Sequence, residues 1–369
     1  MSSVLEQNSN KRLRRYEQIR NQLRQKIKDE GLKEGDRLPG IYLLADEFDA
    51  NYRTVKSAFE RLEKEGIISY KPKVGAIVTS PASKKFSISY TRWRGDAFNV
   101  EIWKGVRRFT EENNVNLVMG DAASSHQRFL DSITKPGNGI HGLLVMPFDL
   151  PTYREAILSA IKDGKKVVFV DRALPDIDVS SVTADHFTGS YQATTHLLEM
   201  HGRPVYYIGK VAQPSSCKQR VEGWAEAMRE HYFHDFDKYI FDLPHAEAEL
   251  SVSPSKAIED HLTTAVKLFE TCEEEAYSIF AGNDYVAVGV YVAAEKLGLQ
   301  IGKDVFVVGF GDIPLAQTMP VPLSSVFQNS ELVGYESAKL LYELITGDVE
   351  KPVHRILPVE LRIRASSTG

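Results

Sequence analysis

Cysteine is scarce: Cys217 and Cys272 are the only two in 369 residues, and they lie far apart without CxxC or Cys/His spacing. That excludes a disulfide framework and a cysteine-ligated zinc site. Long apolar runs are missing as well. Nowhere do 18 apolar residues follow one another, and charge stands near the N-terminus where a secretory leader needs an apolar stretch. The chain therefore reads as soluble and cytoplasmic, with no membrane partner. Low-complexity segments and short-period repeats are lacking. So are the GxSxG elbow, the Walker phosphate loop, HExxH and a strand-borne GxGxxG. No catalytic residue, metal site or cofactor is expected. Among ten histidines the nearest pair, His231 and His234, has no third ligand placed beside it and reads as surface.

What is present is length and an uneven charge. With 43% hydrophobic residues the chain is long enough for two domains. The net charge of -5 hides an asymmetry: residues 1–85 hold 18 Lys+Arg against 12 Asp+Glu, leaving 27 against 38 for the rest. A basic head on an acidic body suits a protein that touches nucleic acid with one end only.

The head has three helical periods. Tyr16, Ile19, Leu23 and Ile27 share a face, and Gly31 stops the run; a second helix covers about 41–48. In the third, Val55, Ala58, Phe59 and Leu62 share a face until Gly66. Two strand-like runs, 67–70 and 76–78, flank a basic tip containing Lys71, Lys73 and Gly75. Three helices and a hairpin in this space predict a winged helix-turn-helix over residues 1–79, with a linker at 80–85. A recognition helix presents its amino end to base edges, here Asn51, Tyr52, Arg53, Thr54 and Lys56. Lys73 and Gly75 would form the wing.

From Phe86 onward strands alternate with longer helices, the pattern of parallel α/β layers, so residues 86–369 are expected to form a two-lobed sensing domain. Strands are predicted at 86–90, 116–119, 142–146, 166–170, 205–208, 239–242, 277–280 and 305–309. Helices are predicted near 100–112, 124–134, 152–162, 188–200, 220–231, 254–270, 284–297 and 330–345. Polar residues just past strand ends, including Asp171, Arg172, Asn283, Asp284 and Asp312, stand where open α/β sheets bind ligands. Asp284 has an alternative role at a helix start. Trp93 and Arg94 follow the first strand and suit the cleft, while Trp103, Tyr232, Phe233 and Phe236 read as packing.

Two resemblances sharpen this. EGDRLPG (34–40), Leu44-Ala45, RTVKSAF (53–59) and LEKEGII (62–68) resemble the winged-helix head of GntR-type regulators, although Tyr42 and Tyr52 stand where that family usually has Arg. The resemblance implies operator contacts by Asn51, Arg53, Thr54 and Lys56, with Gly75 at the wing tip. GLLVMP (142–147), FVDR (169–172), AGNDYVAVG (281–289), DVFVVGFGD (304–312) and PLSSVFQ (322–328) resemble the effector domain of LacI/GalR-type regulators and periplasmic sugar-binding proteins. Carried over, the ligand contacts are Asp96, Phe98, Asn99, Asp171, Arg172, Arg220, Asn283 and Gln328. Asp312 joins them as a substitute, because the family's usual Asp position is Gly311.

A GntR-type head on a LacI-type body is the arrangement of AraR-like repressors. It implies a homodimer on double-stranded operator DNA, a repressor relieved by a small sugar, with a pentose or deoxyhexose such as L-arabinose or L-fucose as candidates. The alternatives are a non-regulatory sugar-binding protein and a sugar-processing enzyme with a fused interaction domain.

Overall fold

A computed structural model describes residues 15–71, 74–79, 86–174, 176–243 and 254–369. They form two compact units: the described residues up to Phe86 together with Asn114–Asn116, and the remainder.

In the head, α1 (Arg15–Asp29), α2 (Ile41–Glu47) and α3 (Tyr52–Lys64) precede β1 (Ile68–Lys71) and β2 (Gly75–Val78). The periodic residues Ile19, Leu23, Leu44, Val55, Phe59 and Leu62 meet in one core, closed by Ile68, Ala76 and Val78 of the hairpin. Arg20 and Arg24 of α1 lie 3.2 and 3.8 Å from the buried Glu65 carboxylate, tying α1 to the end of α3. The strands are antiparallel, with Ile68 opposite Val78 and Lys71 opposite Gly75. Gly75 has φ +97°, a backbone that L side chains rarely adopt. Residues 1–14, Lys73 and the 80–85 linker lie outside the described residues.

The body contains two six-stranded sheets. The first has order β13-β7-β6-β5-β3-β4, from β3 (Ser87–Arg92), β4 (Asn116–Asp121), β5 (Gly142–Val145), β6 (Lys166–Val170), β7 (Ser180–Ala184) and β13 (His354–Leu357). The second has order β14-β12-β11-β10-β8-β9, from β8 (Val205–Gly209), β9 (Ile240–Asp242), β10 (Tyr277–Ala281), β11 (Val305–Gly311), β12 (Ser324–Phe327) and β14 (Glu360–Arg362). β10 pairs parallel with β8 and β11, and β5 with β3 and β6, whereas β14 runs antiparallel to β12. Parallel strands covered by helices on both faces explain their near-continuous apolar sequences.

The helices are α4 (Ala97–Glu112), α5 (His126–Thr134), α6 (Pro151–Lys162), α7 (His186–His201), α8 (Ser215–Glu230), α9 (Pro254–Thr271), α10 (Asp284–Lys296), α11 (Pro314–Thr318), α12 (Ser330–Thr346) and α13 (Ala365–Thr368). The chain passes between lobes three times, after Ala184, Phe327 and Leu357, so α12 and β13 return to the first lobe. There α12 packs against α4 at backbone contact. A Cβ on Gly105 would fall 1.8 Å from the Glu331 carbonyl oxygen, and one on Gly334 would fall 2.0 Å from that of Ile102.

Four strands escaped the sequence reading: β7, β12, β13 and β14. β7 and β12 carry the buried pairs Ser180-Ser181 and Ser324-Ser325, whose hydroxyls are hydrogen-bonded inside the body. Tyr232, read as packing, is 87% exposed, whereas Phe233 and Phe236 do pack against the second-lobe core. Among the described residues no helix is long and apolar enough to cross a membrane.

Candidate functional site

A cavity of about 570 Å³ lies between the lobes, at the carboxyl ends of strands from both sheets. From the first lobe it is lined by Trp93, Arg94, Asp96, Phe98, Asn99, Asp171 and Arg172, and from the second by Arg220, Asn283 and Gln328. The lobes also touch around it. Tyr285 Oη accepts the Ala97 N–H at 3.3 Å, and Ser215 Oγ accepts the Ala173 N–H at 2.9 Å.

Local structure fixes each polar group. Asp96 caps α4, its Oδ1 accepting from the Asn99 N–H and from Asn99 Nδ2, both at 2.9 Å. The Asn99 Oδ1 is then buried without a hydrogen-bond partner in the protein. Asp171 follows β6 with φ +65°, and its Oδ1 is likewise buried without a hydrogen bond, 3.6 Å from His186 Nε2. Burial raises the Asp171 pKa above the usual carboxylate range, opposed by the charges of Arg172 and Arg220. Arg172 Nε stands 3.8 Å from Asp171, and its guanidinium lies 5.5 Å from the Phe148 ring centre. Its Nε and Nη1 are buried without hydrogen-bond acceptors, as are Trp93 Nε1 without an acceptor and Gln328 Oε1 without a donor. Asn283 caps α10, accepting the Val286 N–H at 3.0 Å.

Arg220 is held from three sides: Nη1 donates to the Gly282 carbonyl at 2.6 Å, Nη2 faces His186 Nδ1 at 3.2 Å, and the guanidinium lies 3.9 Å from the Phe310 ring centre. The sequence reading missed His186. Its ring is buried at the first crossing between lobes, with Nε2 3.3 Å from the Asp171 carbonyl oxygen. Burial, then the Arg220 charge, lowers its pKa well below the ordinary value. Only its position directly after Asp185 hinted at a role.

Two acids at strand ends differ in what they face. Asp312 does not line the cavity; its carboxylate turns to Arg362 and Arg364, each at 2.7 Å, because φ +49° redirects the backbone there. Gly311 lines the cavity instead. Asp284 does line it, but both carboxylate oxygens are engaged: Oδ1 accepts from Ser325 Oγ at 2.5 Å and Oδ2 from the Ile313 N–H at 2.8 Å. Burial pushes its pKa up to about 6. The lining carries Arg94, Arg172, Lys210 and Arg220 against Asp96, Asp171, Asp260 and Asp284, an even balance of sign.

On the head, Asn51, Tyr52, Arg53 and Thr54 border a shallow depression at the amino end of α3 with Arg15, Tyr16 and Ser57. Tyr52, Arg53 and Lys56 are exposed. Asn51 Oδ1 is engaged as the cap of α3, accepting from the Thr54 N–H and Oγ1, both at 2.9 Å. Lys56 Nζ lies 3.5 Å from Glu60, and the rings of Tyr42 and Tyr52 lie 5.1 Å apart. Among the described residues no group of three or more His, Cys, Asp or Glu could hold a metal ion.

Residues 15–78 match the family described as bacterial regulatory proteins, gntR family, and residues 194–367 match the periplasmic binding protein-like domain. Relatives include the HTH-type transcriptional repressor CytR of Escherichia coli (strain K12), 24% identical over 277 residues, which are 74% of this chain and 76% of that protein. The HTH-type transcriptional regulator CelR of Thermobifida fusca is 26% identical, over 68% of this chain and 69% of that protein. Among solved structures, a CelR-cellobiose complex superposes with a TM-score of 0.67 at 22% identity, covering 85% of this chain and 90% of that one. A LacI family regulator from Enterococcus faecium with bound ribose gives 0.64 at 21% identity, covering 76% and 98%. These structural likenesses establish the architecture of the body.

Proposed function

We propose that this chain, which joins a GntR-type winged-helix head to a periplasmic-binding-protein-like body, is a cytoplasmic transcriptional repressor released from operator DNA by a neutral sugar. The observation that carries the ligand class is the cavity's buried polar set. Asn99 Oδ1, Asp171 Oδ1 and Gln328 Oε1 lack donors, while Arg172 Nε and Nη1 and Trp93 Nε1 lack acceptors. Leaving a buried polar group unmatched costs about 1–3 kcal/mol, and hydroxyls, which donate and accept at once, suit this mixture. Phe98, Phe148 and Phe310 add aromatic surface to the lining, as the apolar sides of a sugar ring require. The even balance of lining charges favours a neutral compound over a sugar phosphate. A pentose or deoxyhexose such as L-arabinose or L-fucose fits the polar section. Repressors among the relatives, and neighbours whose names include cellobiose or ribose, support the same class.

On the head, Asn51, Tyr52, Arg53, Thr54, Lys56, Lys73 and Gly75 are assigned to the operator. Arg53 reads bases, Asn51 positions the helix start, and the lysines and Gly75 meet phosphate or minor groove. Two copies would place two heads on a roughly palindromic site. Sugar that binds the closed cleft better than the open one shifts the population of head arrangements, and operator and sugar then weaken each other's binding reciprocally. The test is thermal stability against neutral sugars and sugar phosphates, repeated with DNA from upstream of the gene. One neutral sugar should raise the melting point and weaken DNA binding. Stabilisation by phosphorylated compounds alone would overturn the ligand class, and absence of salt-dependent DNA binding would overturn the repressor.

A further inference from the structure

The cavity is longer than its polar section requires. Its lining includes residues at the carboxyl ends of five neighbouring strands of the second sheet: Gln328 after β12, Gly311 of β11, Gly282 after β10, Gly209 of β8 and Leu243 after β9. Four strand intervals of about 4.8 Å make a run of about 19 Å, whereas one sugar ring with its hydroxyls covers only about two intervals.

The two ends differ in chemistry. Among the second-lobe residues of the lining, the side-chain oxygen buried without a donor belongs to Gln328, at the β12 end. The β8–β9 end is lined by Leu243, Lys210, Ile258 and His261. This wall is rigid: α9 packs so closely on α10 that a Cβ on Gly289 would lie 2.6 Å from the His261 Cβ. His261 Nδ1 lies 3.2 Å from the Tyr285 carbonyl oxygen and donates to it, and burial lowers the His261 pKa. The ring is thereby a neutral imidazole whose Nε2 accepts. Ile258, 51% exposed, stands at the rim. A wall that mixes Leu243 and Ile258 with the Lys210 ammonium and the His261 imidazole suits a second sugar unit, whose hydroxyls both donate and accept.

Resting on the sugar reading above, we infer that the preferred ligand is a disaccharide or comparable glycoside. Its first ring is held by Asn99, Asp171, Arg172 and Gln328, and its second unit lies against Leu243, Ile258 and His261. The test compares matched pairs by calorimetry: arabinose with arabinobiose, xylose with xylobiose, and glucose with cellobiose. In the pair that binds, the disaccharide should be at least about tenfold tighter than its monosaccharide. Ile258→Trp should remove that advantage while leaving the monosaccharide Kd unchanged, and His261→Phe should reduce it, with a melting temperature lowered by the lost bond to Tyr285. Equal affinity within the binding pair, or an equal effect of Ile258→Trp on both members, overturns the second subsite and leaves the sugar reading standing. Binding of neither member of any pair overturns the disaccharide, and the absence of stabilisation by any neutral sugar overturns the sugar reading as well.

Discussion

His186 Nδ1 lies 3.2 Å from Arg220 Nη2 and 3.4 Å from Arg220 Nε, while His186 Nε2 faces the Asp171 carbonyl oxygen at 3.3 Å. A guanidinium only donates and a carbonyl only accepts, so the ring must be neutral with its proton on Nε2. One imidazole thus joins a cavity-lining residue of the first lobe to one of the second, although it does not itself line the cavity.

Replacing this ring separates its bonds from its titration. The folded pKa lies well below 6.5, so the unfolded state binds more protons, and the stability His186 contributes is lost as pH falls below about 6.5. His186→Asn, which can still accept from Arg220 and donate to Asp171, should keep near-native sugar affinity at pH 7.5. It should also gain stability relative to the parent between pH 7 and 5. His186→Phe should weaken the sugar about tenfold or more at every pH, because Arg220 loses a partner. Calorimetric titration and urea melts across pH check both.

The division of labour between head and body predicts a double dissociation. Arg53→Ala should abolish specific operator binding in a gel shift and leave the sugar-induced rise in melting temperature intact. Arg172→Ala should do the reverse. Loss of both activities in either folded variant would refute the division.

Asp284 titrates with the opposite sign to His186. Its folded pKa of about 6 exceeds the ordinary 3.8, so the folded state holds the proton longer, and stability falls as pH rises between those values. Asp284→Asn removes this slope. Between pH 5 and 7.5 the variant should gain on the order of 1 kcal/mol relative to the parent, measured by urea unfolding without sugar.

Asp312 and Asp171 should part company under substitution. Asp312 holds Arg362 and Arg364 and faces away from the cleft, so Asp312→Ala should cost on the order of 2 kcal/mol, allowing for the partial exposure of the arginines. Its sugar Kd should stay within about twofold of the parent. Asp171→Asn should leave the melting point of the unliganded protein level or higher, since burial disfavours the charged carboxylate more than Arg172 and Arg220 favour it, and should reduce sugar affinity sharply. Parallel thermal and calorimetric measurements distinguish the two acids.

Most elements were legible because their apolar residues recur at the helical period or in unbroken runs, as with Val55, Phe59 and Leu62 in α3 or the KVVFV of β6. Ser324 and Ser325 hid β12, because their burial is made tolerable by Arg364, Ser366 and Asp284, partners distant in sequence. The cleft residues of the first lobe and Gln328 stood out through strand-end position and resemblance. Asp312 did not follow, since position at a strand end says nothing about a positive φ that turns the carboxylate to the other side. His186 was invisible for a related reason: its two partners come from separate segments, and no local pattern joins them.

The three passages of the chain between lobes have a consequence for biogenesis. The head closes its core with neighbours in sequence, so it can be complete early in translation. The first lobe cannot, because α12 and β13 reach it only from residues 330–357. A ribosome must release residues 354–357 before that sheet acquires its last strand, leaving the β7 edge open meanwhile as a pairing surface for other chains.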